Sequence, residues 1–347
     1  MPGVASAARP GFLVASGEGA TVAVDAAGTT YIAYNDGPPG ETSEAIGLCV
    51  IPRGAARCAT NGNVLDGAAY TGQPAWVSAS GVGQLAIVSY FDSSAGDVEL
   101  TSANGGVSFT APVSIATLEG TDMAFGPAGQ VLTVNGDEDD VAAQVGSLTA
   151  PDSSDPADLL ASTTSNAFAG WAGGTPVVVA GSGPARADVA VWSGAGSVND
   201  AATWRTERVG GETIHPSLAS GPRGLFLLQD TGAFNDRLTI RRFARGRFGR
   251  AHIINSGSRA TLGTALAEDP SGRLVAVWYQ DTTERMLAAA CADAGLKWSR
   301  PRVIGTDVPL PQHMRAAVGP HGRGWLVYDR NAGNQVRAIP LNVNELL

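Results

Sequence analysis

The sequence predicts an all-β fold, a seven-bladed β-propeller, on three observations. A strand, a glycine turn and a second apolar strand recur seven times along the 347 residues, around Gly28, Gly83, Gly129, Gly174, Gly224, Gly272 and Gly322. The steps between those glycines are 55, 46, 45, 50, 48 and 50 residues, one period persisting through the chain. No stretch carries a helical period of useful length, whereas runs of four to eight residues rich in Val, Ile, Leu and Tyr read as strands. Four short antiparallel strands per period, repeated radially, describe propeller blades.

The elements follow in order. Unit 1 reads TVAVDAAGTTYIAYND and unit 6 reads ALAEDPSGRLVAVWYQD. Third and fourth strands are visible as RLTIRRFA and GRAHII in unit 5, and as MLAAACAD and SRPRVI in unit 6. The whole chain, 1–347, is therefore one domain, with blades at about 19–66, 72–116, 120–162, 165–209, 213–256, 260–305 and 311–341. The last unit lacks a fourth strand after QVRAIPL, and PGFLVAS at residues 10–16 resembles the fourth strands elsewhere. Residues 1–16 are thus expected to close the ring and leave no open sheet edge. Unit 4 is the least regular, so six blades plus an irregular segment is the alternative count. Aligned on the glycines, one column of the innermost strand holds Ala23, Ala124, Ala169, Ala219, Ala267 and Ala317. The preceding column is mostly bulky, with Val22, Met123, Phe168, Leu218 and Leu266, which suits wedge-shaped packing around an axis.

Composition removes several classes. With 44% hydrophobic residues the chain is too apolar to be disordered, and its 45 glycines have no collagen period. A formal charge of −9 argues against nucleic acid as a partner. The six arginines between Arg237 and Arg250 are interspersed with apolar residues and read as a solvated outer-blade surface. No run approaches the ~20 apolar residues of a membrane span. The protein is expected to be monomeric.

The turns between third and fourth strands carry a family resemblance. Unit 2 has Ser102-Ala103-Asn104-Gly105-Gly106-Val107-Ser108-Phe109, and unit 6 has Cys291-Ala292-Asp293-Ala294-Gly295-Leu296-Lys297-Trp298. Both resemble the Asp-box, S-x-D-x-G-x-x-W, of the sialidase-like propellers. Unit 2 departs by Asn and Phe, unit 6 by Cys. In such a hairpin the Asx side chain bonds the backbone, glycine takes positive φ, and the aromatic ring packs underneath. The resemblance supports the fold and places the Asp-box on the face away from the family's site. Family enzymes use three arginines, a Tyr/Glu pair and an Asp. Here only Arg315 begins an innermost strand, against Thr21, Ala75, Asp122, Ala167, Ser217 and Ala265 elsewhere, so a typical sialidase is not expected.

Six second strands end in aspartate: Asp36, Asp92, Asp137, Asp230, Asp281 and Asp329. On one face of the ring they could bind a sugar, a polyol or a cation, or each could cap its own loop. His215 and His313 precede the innermost strands of units 5 and 7, with Arg315 two residues on. They read as acid/base or metal-binding groups, or as solvated loop histidines. Asp122 with Asp137 and Asp139 could hold calcium, or form an acidic solvated loop. Tyr34, Tyr90, Trp278, Tyr279 and Tyr328 could stack on sugars but read better as interblade core. No nucleophile elbow, H-E-x-x-H or Walker loop is present.

Cys49 and Cys58 flank a hairpin that a disulfide could bridge, which points to a secreted or cell-surface protein. Met1-Pro2-Gly3 has neither the basic nor the apolar region of a signal peptide, so export would rest on a leader removed beforehand. The leading expectation is a binding module for carbohydrate or another polar polymer. The alternative is a glycan-active hydrolase or lyase using His215, His313 and Arg315 with rim aspartates; a third is a protein-interaction scaffold.

Overall fold

The computed structural model describes residues 11–37, 43–69, 74–91, 96–115, 122–136, 140–147, 157–161, 167–181, 186–210, 216–231, 237–256, 261–293, 297–330 and 335–347. Seven antiparallel four-stranded blades form a ring, the architecture that the seven-fold period predicts. Blade 4 is a complete sheet of Ala167–Ala172, Thr175–Gly181, Arg186–Trp192 and Trp204–Gly210, which removes the six-blade count. Blade 7 is closed by the N-terminal strand Phe12–Ser16, which pairs antiparallel with Gln335–Asn342. Six of the seven turn glycines hold positive φ, including Gly28 at 86° and Gly272 at 83°, where an L side chain would be strained; in blade 4 the neighbouring Gly173 (φ 64°) does so in place of Gly174. Gly47 serves a different need: a Cβ there would run into the Tyr34 ring.

The core lies between blades. Leu132, Val134 and Val145 of blade 3 share one cluster with Ala169, Trp171 and Val178 of blade 4. Strands buried on both faces explain the apolar runs and the low charge. Tyr34, Trp278, Tyr279 and Tyr328 are all buried and belong to these interfaces; the Tyr90 side chain lies outside the described residues.

One column at the head of the innermost strands joins the blades. Thr21 Oγ1 of blade 1 donates to the Ala75 carbonyl of blade 2 (2.5 Å) and accepts from the Val77 N–H (2.9 Å). Asp122 Oδ2 of blade 3 accepts from the Ala169 N–H of blade 4 (3.0 Å). Ser217 Oγ of blade 5 donates to the Thr264 carbonyl of blade 6 (2.7 Å). Blades 2, 4 and 6 carry Ala75, Ala167 and Ala265 in this column. Polar residues therefore alternate with alanine, each polar group bonding the next blade's backbone. Seven is odd, so the alternation must fail once. It fails where blade 7 meets blade 1, with Arg315 beside Thr21.

The Asx turn of blade 2 forms as its residues require. Asn104 Oδ1 accepts from the Ser108 N–H (3.0 Å), Gly105 and Gly106 have φ of 73° and 82°, and Phe109 packs on the blade 1–2 core. Cys49 and Cys58 are joined by a disulfide with Cα atoms 5.5 Å apart. Cys291 is buried and reduced. Among the described residues no helix is long and apolar enough to cross a membrane.

Candidate functional site

The innermost strands of all seven blades surround a central cavity of about 370 Å³. Its mouth, where these strands begin, holds the candidates that the structure brings together. Arg315, the residue that breaks the alternation, does not bond its neighbour blade. Its Nη2 reaches Asp122 Oδ1 of blade 3 at 2.8 Å, closing an ion pair between non-adjacent blades across the channel. Asp122 is 8% exposed. Burial raises its pKa above the usual carboxylate value, opposed by the Arg315 charge and by the Ala169 N–H.

His313 lies two residues before Arg315 on the same strand, outside the lining of the cavity itself. Its Nδ1 lies 3.0 Å from Asp329 Oδ2, and the same oxygen accepts from the Gly19 N–H of blade 1 at 2.7 Å. Asp329 is buried, and its Oδ1 has no partner among the described residues. The His313 side chain remains 44% exposed, so the carboxylate anchors one edge of an imidazole whose other edge meets solvent.

The backbone that presents His313 is unusual. The strand Pro311–Val318 shifts register between Gln312 and Arg315, and His313 takes φ 45° within that bulge. The same shift occurs in the innermost strands of blades 1 and 6, where the left-handed residue is Gly19 (φ 63°) or Gly263 (φ 129°). Blade 7 alone of the three uses a Cβ-bearing residue there, at a conformational cost of roughly 1–3 kcal/mol.

Asp230 is buried at the end of its strand, Asp36 is half-buried, and Asp281 is exposed at the start of a short 3-10 turn, Asp281–Thr283. Asp92, Asp137, Asp139 and His215 lie outside the described residues. Among the described residues no cluster of three or more His, Cys, Asp or Glu side chains is placed to hold a metal.

Two kinds of buried carboxylate escape the sequence reading. Asp25 and Asp269 cap the turns at the opposite face; the pattern D-x-x-G after the first strand was the available signal. Glu99 is buried at 3% exposure in the blade 2 strand Gly96–Ser102, and burial pushes its carboxyl up to about 7. Nothing in the alternation of that strand marks it.

No protein-family model and no curated protein matches the sequence. Solved structures are similar in chain course. A six-bladed fucose-recognising lectin of Aleuria aurantia is 12% identical, over 94% of this chain and 97% of its own, with a TM-score of 0.49. A Hadza microbial sialidase is 10% identical, over 97% of this chain and 69% of its own, also at 0.49. An ulvan lyase is 12% identical over 94% and 79%, at 0.40.

Proposed function

We propose that the protein binds a carbohydrate or another polar polymer at the channel mouth, with His313, Asp329 and Arg315 as the contact set. One observation carries the reading. The fold tolerates a left-handed histidine where sister blades use glycine, and fixes its imidazole with a buried carboxylate. Backbone strain of this kind persists where surrounding structure holds a group ready for a ligand. The Arg315–Asp122 pair supplies charged donors and acceptors a few side chains away, the mix that orients sugar hydroxyls. A secreted or cell-surface location is supported by the Cys49–Cys58 disulfide.

A second reading has its own observation. A carboxylate on Nδ1 orients the imidazole and leaves Nε2 free to move a proton, which a glycan hydrolase or lyase would use. Calcium at Asp122, with Asp137 and Asp139, would compete with Arg315 for Asp122 Oδ1; a melting temperature unmoved by EDTA counts against it.

A panel of neutral and acidic oligosaccharides, scored for both binding and turnover, tests these readings. Binding without turnover, weakened about tenfold by His313→Ala, is expected. Binding untouched by His313→Ala and by Arg315→Gln would remove the site from the mouth. Turnover lost in His313→Ala would replace the first reading with the second.

A further inference from the structure

A second groove lies at the other end of the blade 7 strands, where the ring is closed. It encloses about 660 Å³ between blades 7 and 1 and is bordered by Arg302–Ile304 of blade 6. One wall is the blade 1 loop Pro52–Ala55, pinned by the Cys49–Cys58 disulfide and by the Ala55 N–H to Pro52 carbonyl bond (2.9 Å). The opposite wall is the C-terminal turn, seated by buried Val343 and Leu346. Trp325 and Leu341 lie in the floor, 7% and 3% exposed.

The rim carries the chemical signal. Arg53, Arg302 and Arg323 are exposed, and none of their side chains has a hydrogen bond or ion pair among the described residues. The one acidic residue in the lining, Glu345, already accepts from Asn342 Nδ2 (2.6 Å). Three uncommitted guanidinium groups around one groove stand out on a chain with a net charge of −9. The equivalent cleft between blades 4 and 5, about 640 Å³, provides the contrast. There Arg205 donates to the Gly246 carbonyl, and the Arg223 side chain lies along Gly272 of the next blade. Arg245 of that cleft is exposed without a side-chain partner among the described residues, and Arg53 at the closure lies along Gly28, so the clefts differ in degree: three guanidinium groups without a side-chain bond at the closure against fewer in this cleft.

We infer that the closure groove binds an acidic glycan segment through a carboxylate or sulfate group. Guanidinium matches the paired oxygens of either anion with two parallel N–H donors. An apolar floor with an indole receives the C–H face of a sugar ring. The volume falls within the range of about 300–1,000 Å³ typical of small-molecule sites. The site is separate from the channel mouth, because His313 begins the innermost strand of blade 7 while Arg323 follows the turn at that strand's far end.

Calorimetric titration of the full chain tests this with four probes: oligogalacturonate for carboxylate, a heparin-derived oligosaccharide for sulfate, a maltooligosaccharide as neutral control, and a single-stranded oligonucleotide. One of the two acidic sugars should bind, and its affinity should fall about tenfold or more in Arg323→Gln and again in Arg302→Gln. Raising the salt should weaken it as well. His313→Ala should leave this binding intact. The two acidic probes tell carboxylate from sulfate. The inference is overturned if neither acidic sugar binds, if the neutral sugar binds equally and loses affinity in the same arginine variants, if the oligonucleotide binds as tightly, or if both arginine variants match the parent. Loss of binding in His313→Ala would also overturn it, by moving the acidic ligand to the channel mouth.

Discussion

The two faces of the ring use aspartate in opposite ways. On the turn face, Asp25 accepts from the Ala27 N–H (2.9 Å), the Thr29 N–H (2.8 Å), the Tyr31 hydroxyl (3.1 Å) and the Gly83 N–H (3.0 Å). Three of those partners lie within six residues. Asp269 does the same in blade 6 with Ser271 and Arg273. Burial alone would raise the Asp269 pKa, but those bonds outweigh it and hold the carboxyl below its usual value. On the mouth face, Asp122 and Asp329 bond groups 193 and 310 residues away, in other blades. There burial wins at Asp122 and its pKa rises. A carboxylate that solves its own turn belongs to the repeat. One whose burial is only partly offset by a distant arginine belongs to the ring, and such groups cluster at functional sites.

The strongest way to break this comparison is Asp25→Ala. It strands four donors, so the loss of stability should be about 3–4 kcal/mol in urea unfolding, with ligand affinity per folded molecule unchanged. An unfolding midpoint like the parent's would show that the turn carboxylates are not structural.

That prediction also shows what sequence alone could reach. The strand–glycine–strand period made the blades and their closure legible, because six of the seven turns place a glycine at positive φ and each apolar run is demanded by two-sided burial. His313 and Arg315 were legible as departures from the repeat. Their partners were not. Pairing Arg315 with Asp122 requires knowing that blades 7 and 3 face each other across the channel, and the Gly19 to Asp329 bond exists only once the ring closes. The alternation of Thr21, Asp122 and Ser217 with alanine was in plain sight. Its meaning depends on blade-to-blade hydrogen bonds that no local rule contains.

Glu99 sharpens the comparison as a third kind of carboxylate. Its Oε1 is buried without a partner among the described residues. With a carboxyl raised from 4.5 to about 7, the folded state favours the protonated form. The native chain thus binds the proton more tightly than the unfolded one, and stability should fall as pH rises from about 4.5 through about 7. Glu99→Gln should flatten that slope and be more stable than the parent at pH 8 by roughly 2–3 kcal/mol. A slope that persists in the variant would assign it to another group, Asp122 first.

Asp329→Asn probes the mouth face directly. The amide keeps an acceptor for Gly19 but loses the charge facing His313. A stability loss of about 1–2 kcal/mol is expected, well below that of Asp25→Ala, with ligand binding weakened about tenfold. A loss as large as that of Asp25→Ala, with affinity unchanged, would erase the distinction between the faces.

The smallest expected change in stability belongs to His313→Gly, and it is the most discriminating. Glycine relieves a left-handed conformation that costs about 1 kcal/mol or more in a residue with a Cβ. The same substitution removes one hydrogen bond to Asp329, worth about 1 kcal/mol. These effects oppose, so the melting temperature should move by only a few degrees in either direction. Gly19 and Gly263 already show that the bulge forms around glycine in blades 1 and 6. Ligand binding at the mouth should nevertheless be lost, because the group that the bulge displays is gone. A stable protein without binding would mean that blade 7 sustains strain for its ligand. A variant destabilised by several kcal/mol would make His313 a structural clasp between blades 7 and 1, and the mouth face would then differ from the turn face only in the reach of its bonds.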